Sequence, residues 1–356
     1  MALSPNYGWA EPDNSSLVKN GAQDIRALGD AIDTSLWNVG YGQAGKNKII
    51  NGDFSIWQRG TTVTPASGTY GYGADRWRTY SFAATSSTLS QQSFTAGAAP
   101  VAGYEAQYFA RFASTNTATY ASQPIEDVRT FAGQPVTVSF WAKSASAQTL
   151  SSVKFDQNFG SGGSSTVTTS GTAPAITTSW ARYSVPISVP SISGKTIGTS
   201  SNLDLVISGA INNNLDLWGV QVEYGSKATP FETATGTLQG ELAACQRYFV
   251  QLVNGINQVI GNGSAYSASE MDGVIYLPVP MRTAPTAVQT TGTDYWGFVR
   301  NGGIDYFNSL TVSSTGAANY IAQNVYNATE ISSTAGNGGF IRSANASTSF
   351  ALSAEL

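Results

Sequence analysis

The chain has 356 residues, a formal charge of −4, no histidine and one cysteine, Cys245. That excludes Ser-His-Asp and Cys-His catalysis, histidine-bearing zinc sites, cysteine clusters and an intrachain disulfide, and the acidic balance argues against a broad nucleic-acid surface. Charged residues make up only 11% of the chain, but 41% is hydrophobic and 11% aromatic, so it carries enough apolar material to fold.

In chain order, the first predicted element is a helix. Asn14, Ser15 and Ser16 offer N-caps, and Val18, Ala22, Ile25, Leu28, Ile32, Leu36 and Val39 recur at helical spacing. Val18, Ile25, Ile32 and Val39 lie seven apart, a narrow stripe suited to helix–helix contact, either with other copies or with a neighbouring domain. The glycine-rich stretch 40–47 reads as a linker.

From Lys48 the period changes to two. Val136, Val138 and Phe140 share one strand face, opposite Thr137, Ser139 and Trp141. Val153, Phe155 and Phe159 alternate with Lys154, Asp156 and Asn158; Ala181, Tyr183, Val185 and Ile187 alternate with Trp180, Arg182 and Ser184. LDLVIS and LDLWGVQVEY continue the pattern, and Gly/Ser/Thr-rich loops separate these segments. Many short alternating strands predict a β-sandwich or jelly roll. A short helix is expected over 238–252, followed by a small β domain with strands in GVIYLPVPM, YWGFVR, YIAQNVY, GFIRSA and SFALSAEL.

Few motifs carry chemistry. The GKT at 194–196 lacks the glycine a phosphate-binding loop needs five residues earlier, where Val189 stands. Paired carboxylates are the one catalytic route left open, with Asp53, Asp75, Glu105, Glu126, Asp127 and Glu223 as candidates. Asp53 and Glu223, expected on the first and last sandwich strands, are also weak candidates for a structural calcium ion. Aromatics crowd the sandwich at Trp57, Tyr70, Tyr72, Trp77, Tyr80, Trp141, Trp180 and Trp218. Trp141 and Trp180, opposite the aliphatic faces of their strands, are candidate sugar-stacking platforms, and Asp156 and Asn158 are the polar glycan-binding candidates. No cofactor is expected.

KIINGDFSIWQRG (48–60), ADRWRTY (74–80), QPIEDVRTFAGQPVTVSFWAKS (123–144), QNFGSGGS (157–164), TTSWARYSVPISVPSISGKTIG (177–198), LDLWGVQVEYGSKATPFE (215–232) and LAACQRYF (242–249) occur in that order. The series resembles a jelly-roll module of bacteriophage tail and fibre proteins, itself similar to the carbohydrate-binding modules of glycan-degrading enzymes. Residues 6–33 resemble the start of phage tail fibre and minor tail proteins, and GVIYLPVPMRTAPT (273–286) resembles their distal domains.

The resemblance implies a mainly β, homotrimeric fibre. Residues 1–45 would be a helical virion-anchoring segment, 46–234 a carbohydrate-binding-module-like jelly roll, and 235–356 a connecting helix with a distal, receptor-binding β domain. The implied protein is a non-enzymatic virion component, assembled in the host cytoplasm. It binds other tail or baseplate proteins through its N-terminus and a bacterial surface polysaccharide elsewhere, with no nucleic-acid partner and no membrane insertion. Val18, Ile25, Leu28, Ile32 and Val39 are the trimer-interface candidates. The rival expectations are a carboxylate-based polysaccharide depolymerase and a capsid- or neck-attached fibre without a receptor role.

Overall fold

A computed structural model describes residues 2–4, 9–11, 17–39, 45–82, 86–101, 104–313 and 322–356. Among the described residues the protein is mainly β, with one long N-terminal helix, a main hydrophobic core in each of two β units and a third, smaller hydrophobic cluster. Among the described residues no helix is long and apolar enough to cross a membrane.

Helix α1 spans Gly21–Val39, and a single 3-10 turn, Val18–Asn20, precedes it. The expected caps at Asn14, Ser15 and Ser16 lie outside the described residues, as do 40–44 of the expected linker. Leu17 occupies the cap position of the 3-10 turn and supplies no side-chain bond. Val18 therefore sits one turn ahead of the α-helix, so the regular heptad stripe begins at Ile25. The main tertiary contact of α1 is the short strand Ala10–Glu11.

Two antiparallel six-stranded sheets form a β-sandwich. The front sheet runs, side by side, Ala181–Ser188, Pro135–Lys143, Asn214–Tyr224, Tyr108–Thr115, Ser86–Ser93 and Thr62–Val63. The back sheet runs Val167–Ser170, Ser152–Asn158, Asn202–Ile211, Ala118–Ile125, Arg78–Tyr80 and Tyr70–Tyr72. Successive strands cross repeatedly between the sheets, which is the jelly-roll pattern. The two-residue alternation decides what lies inside. Val136, Val138, Phe140, Val153, Phe155, Val185, Ile187, Leu203, Leu205 and Ile207 are all buried in one core.

Segment 48–60 is built of turns rather than a strand. It lies along Asn214–Tyr224, with the Val220 amide donating to the Gly52 carbonyl at 2.9 Å and the Lys48 amide to Val222 at 3.1 Å. A side chain on Gly52 would place its Cβ 2.2 Å from the Val220 carbonyl oxygen, so only glycine permits this approach. Asp53 therefore sits in a turn, not on the first sandwich strand as the alternation predicted.

The connecting helix α2 is shorter than expected, Leu238–Gln246. Thr237 caps it by accepting from the Gly240 amide at 3.1 Å. From Phe249 the chain is a strand instead: Phe249–Asn254 pairs with Ser349–Ser353, and a bulge between Gln251 and Val253 brings both Val250 and Val253 into the second core. That core lies between a three-stranded sheet (Phe249–Asn254, Ser349–Ser353, Thr286–Gln289) and a seven-stranded sheet. In order, the latter is Gly303–Phe307, Trp296–Arg300, Gly338–Ser343, Val259–Ala265, Met271–Tyr276, Ala322–Asn327 and Thr311–Val312.

A buried polar seam joins the two β units. Asn51 has a left-handed backbone (φ 56°), and its amide side chain bonds the Ile56 amide and the Ile56 and Asp75 carbonyls. The Asn51 backbone amide donates to Glu241 on α2 at 2.7 Å. Arg76, 1% exposed, stacks over the Tyr248 ring at 3.5 Å, ion-pairs with Glu355 and donates to the Pro124 carbonyl. Arg59 packs on Phe249 at 3.6 Å and pairs with Glu355 at 2.8 Å. Tyr72 donates its hydroxyl to the Leu356 carbonyl at 3.1 Å.

A buried charge stripped of its partner is costly, whereas replacing both partners with apolar groups is often neutral. Arg76→Ala is expected to destabilise the protein by about 3–5 kcal/mol, read as a fall in the urea midpoint, and Arg76→Met with Glu355→Leu to recover most of that loss. A midpoint unchanged in Arg76→Ala would show that the seam contributes nothing to stability.

Candidate functional site

The outward face of the front sheet carries the third cluster, which is mostly aromatic. Trp218, Phe109 and Ala106 are buried in it, and Phe94, Tyr104, Trp141, Trp180 and Phe231 pack around them, half-exposed. The predicted pair Trp141 and Trp180 therefore lies on the expected face and in the same cluster. Neither ring is free on both sides. Trp141 meets Trp218 at 5.4 Å and lies under the Arg182 guanidinium at 4.6 Å. Trp180 meets Phe109 at 5.2 Å and Phe94 at 5.4 Å, with the Lys143 ammonium 5.3 Å above it. Gly219 (φ 62°), where Asn214–Tyr224 bulges, makes room for Trp141: a Cβ there would stand 2.7 Å from the indole.

Asp156 and Asn158, the other two glycan-binding candidates, belong to the back sheet. The two sheets present opposite outer faces, so the four residues do not form one site. Asp156 pairs with Lys154 at 2.8 Å and accepts from Thr168 at 2.6 Å. Asn158 is exposed and accepts from the Gly160 amide at 3.0 Å.

The back sheet has its own outward aromatic group. Tyr70 meets Tyr80 in a tilted contact at 4.8 Å, Phe82 meets Tyr80 at 4.8 Å, and Tyr120 lies 6.3 Å from both Tyr80 and Phe82. Tyr70 and Phe82 are among the exposed large hydrophobics. Tyr120 and Phe82 escape a reading of the sequence because Ala118–Ile125 comes near Tyr70–Tyr72 only across the intervening strand Arg78–Tyr80, and Phe82 lies just beyond the end of that strand. Beside this group Arg78 bridges Asp204 at 2.8 Å, and Ser122 donates to the same carboxylate at 2.7 Å. Burial pushes the Asp204 carboxyl up, opposed by Arg78 and Ser122.

The candidate carboxylates are dispersed, and each has its own partners. Asp53 accepts from Ser55 Oγ and the Tyr104 hydroxyl, both at 3.1 Å. Glu223 accepts from Gln221 at 2.7 Å and from the Thr229 amide and hydroxyl at 2.8 and 2.6 Å, with Lys46 at 3.8 Å. Asp53 and Glu223 share no hydrogen-bond partner, and no group of three or more His, Cys, Asp or Glu suited to a metal ion occurs among the described residues. Glu126 pairs with Arg247 and Tyr248, Asp127 with Arg129, and exposed Glu105 accepts from the Gly97 amide.

One cavity of about 450 Å³ brings Asp53 together with Glu232 and Glu241, beside Tyr104 and Phe231. Burial pushes the Glu241 carboxyl up. Its two oxygens are nonetheless engaged by the Asn51 amide and by the Thr235 amide and hydroxyl.

No protein-family model matches this sequence, and no curated protein matches it. Among solved structures, similarity extends to a xylan-binding family 22 carbohydrate-binding module of Paenibacillus barcinonensis. It is 13% identical, with 52% of this chain and 99% of that one covered and a TM-score of 0.33. A family 11 carbohydrate-binding module of Clostridium thermocellum, solved with a mixed-linked tetrasaccharide, is 11% identical over 47% of this chain and 98% of that one, at a TM-score of 0.29. The enzymatically active domain of tailspike protein 4 from bacteriophage CBA120 is 13% identical over 51% of this chain and 22% of that one, at 0.30. At such identities and TM-scores the likeness decides neither activity nor ligand.

Asp75 gives the polar seam a pH dependence. Burial raises its carboxyl to about 6 from 3.8, opposed by Arg59 and by hydrogen bonds from Gln58. In the unfolded chain Asp75 loses its proton near pH 4, and in the folded protein only near 6. The folded state therefore binds the extra proton between these values, and stability falls as pH rises through that window. Urea denaturation at pH 4 and 7 is expected to show a difference that shrinks by up to about 3 kcal/mol in Asp75→Asn. An identical pH difference in both proteins would mean that Asp75 titrates normally.

Proposed function

We propose that this protein is a short bacteriophage tail fibre, a homotrimeric virion component that attaches the particle to a bacterial surface polysaccharide. The observation that carries the fibre reading is α1. Ile25 is 66% exposed and Val18, in the preceding turn, 96% exposed, with no second helix packed on them among the described residues. An apolar stripe left in water at one end of two serial β units calls for other copies of the same stripe. Leu28 and Ile32 lie on the same helix, half-buried; the side chain of Val39 lies outside the described residues. The segment 1–45 is then the part that joins tail or baseplate proteins.

The glycan half of the reading is supported by the surface. Aromatic side chains on outward sheet faces can stack on sugar C–H faces, and threefold presentation multiplies weak contacts. We take the protein to be a binder rather than an enzyme, because the candidate acids are occupied by internal donors. The cavity holding Asp53, Glu232 and Glu241 favours the second reading, a polysaccharide depolymerase.

Light scattering at micromolar concentration is expected to give three times the monomer mass, and Ile25→Asp with Ile32→Asp to give monomers that keep the β-rich circular dichroism. A stable unmodified monomer would sink the fibre reading.

Labelled protein is expected to adsorb to host bacteria, compete with infection and be released by the purified surface polysaccharide, with no new reducing ends formed. Turnover that disappears in Glu241→Gln would establish the enzyme reading instead; failure to adsorb would remove the receptor role.

A further inference from the structure

We infer that the outward face of the distal seven-stranded sheet holds a binding groove for an uncharged glycan chain, built by Tyr276, Tyr326, Asp272, Asn262, Ser264 and Asn324. This deepens the glycan reading above and rests on it.

The groove has a volume of about 630 Å³ and crosses Val259–Ala265, Met271–Tyr276 and Ala322–Asn327. Register brings its residues together. Tyr326 stands opposite Asp272 and Asp272 opposite Ser264; in the next outward row Asn324 stands opposite Val274 and Val274 opposite Asn262. Tyr276, two residues further along its strand, ends the groove and is 71% exposed. The inward positions Met271, Ile275 and Val325 lie in the distal core, so the sheet itself forms a rigid floor. Gly263 and Gly273 stand opposite each other on the inward side of this sheet, where a Cβ would meet Met271 Sδ at 3.0 Å and Ile341 Cδ1 at 2.5 Å, so they let the floor pack closely on the core.

Two properties separate this groove from the aromatic faces of the jelly roll. The first is that six of its polar groups have no internal partner; Ser313, which also lines it, is not one of them. The side chains of Asn262, Ser264, Asp272 and Asn324 and both tyrosine hydroxyls make no hydrogen bond or ion pair with any described residue. On the jelly roll the polar group beside the back-sheet aromatics is already spent, Asp204 being held by Arg78 and Ser122. The second is charge. Among the described lining residues Asp272 is the one ionised group, and none is lysine or arginine. A carboxylate accepts from sugar hydroxyls but repels uronate, sialate or phosphate. Tyrosine rings supply apolar stacking surface with few rotatable bonds, and amides and a hydroxyl supply both donors and acceptors. That combination matches a neutral polysaccharide segment, whose sugars present C–H faces and hydroxyl edges.

The test uses the full chain, titrated calorimetrically with glucan, galactan and mannan oligosaccharides and with oligogalacturonate as the acidic probe. At least one neutral probe is expected to bind. Tyr276→Ala and Tyr326→Ala should each weaken it about tenfold or more. Tyr326→Phe should keep most of the affinity, and Asp272→Asn should let oligogalacturonate bind where the unmodified chain does not. Trp180→Ala and Tyr120→Ala should leave binding unchanged. Neutral binding that survives both tyrosine variants but is lost in Trp180→Ala or Tyr120→Ala overturns the groove while the glycan reading stands. Tighter binding of oligogalacturonate than of every neutral probe also overturns it. A change of oligomeric mass in Tyr276→Ala would make the groove a contact between copies. Failure of the unmodified chain to bind any probe overturns the groove and the glycan reading together.

Discussion

The arrangement of this protein depends on one buried guanidinium. Arg76 lies almost wholly out of water, with its plane on Tyr248 and its charge met by Glu355. An unpaired charge at that depth would cost several kcal/mol. Residue 76 can therefore be buried only if the far end of the chain returns to it, across 279 positions of sequence. Arg59 shares the same carboxylate, and Tyr72 and Arg78 hold the neighbouring Leu356 carbonyl. The seam thus couples the jelly roll to the last strand of the distal unit, which is also the centre strand of its three-stranded sheet.

This gives the motif that resembles phage modules a physical role. Its asparagine, glycine, tryptophan and arginine do not face solvent. Asn51 satisfies backbone groups inside the turn, Gly52 permits contact with Asn214–Tyr224, Trp77 donates to the Asn51 carbonyl, and Arg76 crosses the seam. The motif is an architectural joint, and its neighbour LAACQRYF is the other half, with Cys245 fully buried and Tyr248 under Arg76. Ligand-facing residues are to be sought elsewhere, on outward sheet positions whose polar groups have no internal partner.

Much of the fold was legible in the sequence. Period-two alternation placed Val136, Phe140, Phe155 and Ile187 inward because strand geometry leaves no other choice once one face must be dry. It put Trp141 and Trp180 on the outward face, correctly. It misjudged segment 48–60, where turns replace a strand, and the end of α2, where a helical reading of 238–252 ran into a strand. Both errors arise where local pattern is ambiguous and a distant partner decides: Asn214–Tyr224 for the first, Ser349–Ser353 for the second.

The sequence by itself determined a mainly β protein without histidine chemistry, an N-terminal helix with an apolar stripe, and which side chains share a strand face. Those properties follow from composition and from periods of two and about 3.6 residues, which are local. Only the tertiary structure decided which strands are neighbours. It separated Asp156 and Asn158 from the tryptophans they were grouped with, gave each candidate acid a private set of donors, and set Tyr276, Tyr326 and Asp272 around one groove. Cross-strand register is a long-range property, fixed by burying two cores and one seam at once. No window of sequence contains it.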